Sequence, residues 1–116
     1  MKDIEIKLEN KKIRPFEEIK GTITINYSGK YDGIVINTQI LSSNYLIIYK
    51  SYNGKKISQN VSRLFVNKDD IPKNIVEFSA VIEFEPKETH EIKFRASIIE
   101  QHKEIENAIL FGELLA

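Results

Sequence analysis

Residues 75–99 read IVEFSAVIEFEPKETHEIKFRASII, and their alternation decides the fold. Val76, Phe78, Ala80, Ile82 and Phe84 share one face of an extended chain, with Glu77, Ser79 and Glu83 opposite. After Pro86-Lys87-Glu88-Thr89 the pattern restarts: Ile92, Phe94, Ala96 and Ile98 face one way, Glu91, Lys93, Arg95 and Ser97 the other. A period of two belongs to strands, whose successive side chains point to opposite faces. The gap is short enough for an antiparallel return, which predicts a hairpin with one apolar face. Such a face needs a second sheet over it.

Working outward, Ile4, Ile6 and Leu8 alternate with Glu5, Lys7 and Glu9 as a first strand, and Pro15 marks an edge or turn. Ile23, Ile25 and Tyr27 form an inward row after Gly21, and residues 34–41 a further strand. The apolar run Tyr45-Leu46-Ile47-Ile48-Tyr49 predicts a strand buried on both faces. Asn53-Gly54 is a strong hairpin signal, and the strand after it spans 56–67. Residues 68–74 form a polar loop. Residues 108–115 read as a closing strand. The competing reading is a helix from Ile98, where Ser97-Ile98-Ile99-Glu100 fits a capping box, but Gly112 and the upstream alternation favour strands. Seven or eight strands with turn signals every eight to twelve residues predict a single antiparallel β-sandwich over 1–116, of immunoglobulin-like class. A closed barrel is the second choice.

At 116 residues the chain suits one domain, burying roughly two-thirds of the surface its unfolded form exposes. There is no Cys, which excludes disulfides, thiolate catalysis and zinc-thiolate sites. Lys plus Arg and Asp plus Glu are both 17, so no overall charge draws the molecule to nucleic acid or an anionic membrane. Met1-Lys2-Asp3-Ile4-Glu5 enters a strand pattern at once and no later run reaches membrane-spanning length, so a cytoplasmic chain is expected.

No catalytic constellation emerges. His90 and His102 lack neighbours at metal-ligand spacing, and no G-x-S-x-G elbow or phosphate-cradling glycine loop occurs. The acidic pairs Glu17-Glu18, Asp69-Asp70 and Glu83/Glu85 lie in loops or on a solvated face. The expectation is a non-enzyme with no cofactor and no metal.

The N-terminal third resembles the amino-terminal domain of arrestin-like proteins. The resemblance rests on a short first strand over 4–8, Arg14-Pro15-Phe16-Glu17, Ile19 before Gly21, the alternating strand 22–27, and Tyr31-Asp32-Gly33-Ile34-Val35-Ile36. The family commonly has Gly after the Pro, where this chain has Phe16. Arrestins carry two sandwiches and this chain has room for one. The resemblance implies an adaptor or scaffold that binds protein partners through sheet edges and loops. Candidate partner-binding residues are Tyr31 and Asp32 in loop 28–33, Tyr52, Lys55 and Lys56 in 51–56, and Asp69 and Asp70 in 68–74. Leu110 and Phe111, in the apolar stretch 109–115, would serve a partner or a homodimer if that stretch stood outside the sheet. Two alternatives stand beside this reading. One is a small-molecule or carbohydrate binder using Tyr31, Tyr45, Tyr49 and Tyr52; the other is a structural subunit of a larger, viral or cell-surface, assembly.

Overall fold

The computed structural model describes residues 2–61 and 63–116, the side chains of 58–60 excepted. Among the described residues ten strands run β1 Ile4–Leu8, β2 Lys12–Ile13, β3 Ile19–Ile25, β4 Gly33–Ile40, β5 Ile48–Tyr52, β6 Lys55–Val61, β7 Arg63–Asn67, β8 Ile75–Val81, β9 His90–Glu100 and β10 Lys103–Leu114. They form two five-stranded sheets, ordered β1-β3-β8-β5-β6 and β2-β10-β9-β4-β7. The all-β immunoglobulin-like sandwich expected from the alternation is what the chain adopts. All pairs are antiparallel except β2 with β10.

The core lies between the sheets. Ile4, Ile6, Ile23, Val76 and Phe78 enter from one side, and Ile34, Ile36, Ile92, Phe94 and Ile98 from the other, all buried. Isoleucine dominates because β-branched side chains are stiff and pack well on a pleated surface, and each buried one contributes about 1.5–3 kcal/mol. Thr38 of β4 and Tyr49 of β5 share a buried hydrogen bond that joins the two sheets across this core.

Several expectations are corrected. Residues 75–99 do not make a hairpin: β8 pairs with β3 and β5, whereas β9 pairs with β4 and β10, so the two runs face each other from opposite sheets. Their inward faces are as predicted up to Ile82, while Phe84 lies past the end of β8 and is only half-buried. The run 45–49 is not a strand buried on both faces. Tyr45 and Leu46 are exposed in a loop, and the strand begins at Ile48. The single strand expected over 56–67 is two, β6 and β7, in different sheets, and Ser62 between them lies outside the described residues. The closing strand expected over 108–115 does form, as the end of a longer strand that begins at Lys103, so 109–115 is not left as a tail. The Asn53-Gly54 turn forms as expected, with positive φ at both residues. An equally tight turn at Gln101-His102, with φ of 49° and 65°, carries no Gly to announce it.

Candidate functional site: an unpaired strand edge

The strand registers gather the three predicted loops at one end of the sandwich. Gly33 stands beside Asn67 and Ile99, Thr24 beside Ile75, and the Asn53 N–H donates to the Glu77 carbonyl. Most of the residues singled out there are engaged with one another. Asp32 accepts the Gln101 N–H at 2.7 Å through its carboxylate, which braces the strained Gln101-His102 turn, and its carbonyl accepts the Lys68 N–H at 2.9 Å. Tyr31 is only 4% exposed, beneath the Lys68 ammonium 4.6 Å from its ring centre, so it presents no surface to a partner. Burial raises its phenol pKa. Lys55 pairs with Asp70 at 2.5 Å, a hydrogen bond that raises the lysine's pKa. Asn53 Nδ2 donates to the Asp70 carbonyl at 3.0 Å. Tyr52 is half-buried, leaving Lys56 and Asp69 as open side chains. This end is cross-braced, and a charge already paired has less to offer a ligand.

The tyrosine platform does not assemble. Tyr49 is fully buried, and the loss of solvent pushes its phenol far above the usual range against the opposing hydrogen bond with Thr38, while Tyr45 stacks on Phe84 at 4.2 Å at the opposite end from Tyr31 and Tyr52. His90 Nδ1 lies 2.9 Å from the Leu41 carbonyl, at the far end from His102. Among the described residues no group of three His, Cys, Asp or Glu stands close enough to share a metal ion.

The feature with open bonding capacity is the outer edge of β10. The Glu113 N–H donates to the Lys11 carbonyl and the Leu115 N–H to that of Ile13, so odd-numbered residues here turn their peptide groups away from β9. Strand alternation aims the N–H and C=O of Asn107, Ile109 and Phe111 the same way. Beyond the two residues of β2, no described strand pairs with this edge. On β1 the parity is reversed: Glu9 and Asp3 bond to β3, so Ile4, Ile6 and Leu8 point their peptide groups outward. Between the two edges runs a groove of about 1070 Å³, floored by Ile4, Ile6, Ala108 and Leu110 and flanked by Lys2 and Glu106.

Side chains follow the same alternation. Leu110 points toward the groove, half-buried, while Ile109 and Phe111 stand 46% and 47% exposed on the outer face of the sheet. The upper limit of the edge is fixed by a bulge that inserts Ile105 between Glu104 and Glu106. Glu104 anchors it, accepting from Ser97 at 2.6 Å, from Arg95 at 2.7 Å on both oxygens, and from Asn107 at 3.1 Å. These bonds, that of Ser97 foremost, hold the Glu104 carboxyl below its usual range. Sequence reasoning named Leu110 and Phe111 but missed Asn107, because which strand lies at an edge is not written in its alternation.

No protein-family model matches the chain, and no curated protein matches it in sequence. Solved structures do match in shape. A conjugative transposon lipoprotein from Bacteroides eggerthii superposes with a TM-score of 0.55 at 8% identity, over 97% of this chain and 96% of that one. The Salmonella SafD adhesin gives 0.55 at 12% identity over 98% of each chain. Self-complemented MyfA, the major subunit of Myf fimbriae from Yersinia enterocolitica, gives 0.51 at 11% over 97% and 98%. At such identities the likeness is one of fold, the immunoglobulin-like β-sandwich, and of fold alone.

Proposed function

We propose that this chain is a non-enzymatic protein-interaction module that takes an extended segment of a protein partner as a further strand beside β10. The observation that carries the reading is the row of outward N–H and C=O groups at Asn107, Ile109 and Phe111, set beside the groove to β1. Strand addition uses main-chain bonds for attachment and alternate side-chain contacts for selection. Each bond contributes about 0.5–1.5 kcal/mol, while ordering each backbone residue of the incoming segment costs about 1–2 kcal/mol. The main-chain ladder therefore roughly offsets its own ordering, and net affinity rests on apolar contact with Ile109, Leu110 and Phe111. This is an adaptor role of the kind the arrestin resemblance implies. An adhesin and a major fimbrial subunit among the similar sandwiches agree with a chain that works by binding and assembly.

Ile109→Pro tests it, because proline there removes one outward N–H and leaves the β9 ladder its donors. Peptides selected from a random display library on the wild-type chain should alternate apolar residues. They should lose tenfold or more in affinity for Ile109→Pro, and keep it for Lys56→Ala. Peptides that bind both variants as well as wild type would overturn the proposal.

A further inference from the structure

Resting on that reading, we infer that the strand occupying the β10 edge is β10 of a second copy, in an isologous dimer whose two-fold axis passes through Ile109. The free edge is short and bounded at both ends, by the bulge at Ile105 and by β2 beside Glu113 and Leu114. Outward peptide groups recur at 107, 109 and 111, a set symmetric about Ile109. An antiparallel self-pairing centred there matches Asn107 with the second copy's Phe111, and Ile109 with itself. That gives three hydrogen-bonded pairs, each exchanging two bonds. Centring on Ala108 would set Phe111 against the bulged Ile105, and centring on Leu110 would drive Asn107 into the place held by β2. The centre at Ile109 engages the whole open run.

Side chains and charges fit the same register. On the outer face Ile109 meets Ile109, with Asn107 beside Phe111 on either hand, and on the groove side Ala108 meets Leu110, apolar against apolar. Past Phe111 the register sets Glu106 of one copy beside Lys11 of the other, twice over by symmetry, while Glu104 stays committed to Arg95, Ser97 and Asn107 within its own sheet. The two five-stranded sheets become one of ten, and the groove between β1 and β10 is closed by the neighbouring copy. A C2 interface of this kind is self-limiting, since it consumes the edge that makes it.

The absence of Cys makes the register directly readable. Opposed residues in a hydrogen-bonded pair have Cα atoms about 5.5 Å apart. Two copies of residue 111 would stand about 14 Å apart, four residues at 3.4 Å each. With a short bifunctional thiol reagent, Ile109→Cys should give a covalent dimer, Phe111→Cys alone should not, and Asn107→Cys with Phe111→Cys together should. Sedimentation of the unmodified chain should show a dimer that weakens with added salt. Ile109→Glu, which sets like charges face to face without altering the backbone, should shift it to monomer. Monomer at every concentration, or equal cross-linking of Ile109→Cys and Phe111→Cys, would overturn the dimer. If the chain is monomeric yet selected peptides bind and are lost with Ile109→Pro, the second copy is refuted and the strand-accepting edge stands. If such peptides also ignore Ile109→Pro, both fall.

Discussion

Replacing Thr38 by Val isolates the polar link between the sheets. Tyr49 is fully buried and its hydroxyl meets Thr38, itself nearly buried, across the core. Valine keeps the shape of threonine and removes the hydroxyl, leaving the phenol O–H without a partner in an apolar layer. An orphaned buried group of this kind costs about 1–3 kcal/mol. At roughly 4 °C per kcal/mol for a domain of this size, Tm should fall by about 4–12 °C. Adding Tyr49→Phe removes the orphan, so the double variant should recover most of the loss, with a coupling of about 1–2 kcal/mol. Urea unfolding of the four proteins at constant m-value measures this. The same pair predicts an alkaline limb. The unfolded phenol ionises near pH ~10 and burial holds the folded one higher, so above that pH the native state keeps a proton the unfolded state has released. Stability then falls by up to about 1.4 kcal/mol per pH unit, and Tyr49→Phe should lack that component of the slope. A Thr38→Val cost under about 0.5 kcal/mol, or strictly additive losses in the double variant, would refute the reasoning.

Phe16 has φ of 65° and is 60% exposed, a bulky side chain in left-handed backbone with little packing in return. Phe16→Gly should therefore stabilise by about 0.5–1 kcal/mol, since relief of roughly 1–2 kcal/mol outweighs glycine's entropy, whereas Phe16→Ala should not; thermal unfolding of both distinguishes strain from packing. The depressed carboxyl of Glu104 contributes stability above the usual glutamate range of about 4.3, and that contribution is lost as pH falls through the lower folded value. Because the group is about a third exposed and screened, Glu104→Gln should cost only about 0.5–1 kcal/mol at pH 7, and the gap should close as pH falls through the lowered folded value in an acid titration followed by circular dichroism.

The sequence by itself determined the element type and most inward faces. Val76, Phe78, Ala80, Ile82, Ile92, Phe94, Ala96 and Ile98 are buried as their alternation requires, and Asn53-Gly54 turns as its chemistry requires. A period of two identifies which side chains seek the core, because each residue reports its own preference for water. It does not record which strand lies alongside. Two runs that hide alternate residues look the same whether they pair in one sheet or face each other from two, and residues 82–89 can bridge either arrangement. Hence β8 and β9 were legible as strands but not as opposite walls. The same limit hid the candidate site: Asn107, Ile109 and Phe111 form an edge only because β2 pairs for two residues and then stops. Tyr31 and Asp32, polar and in a turn-rich loop, looked like surface, and only the closing of that loop against Lys68 and Gln101 turned them into internal braces. Local chemistry sets what a residue prefers; long-range pairing decides which backbone groups are left without a neighbour, and here those groups carry the proposed function.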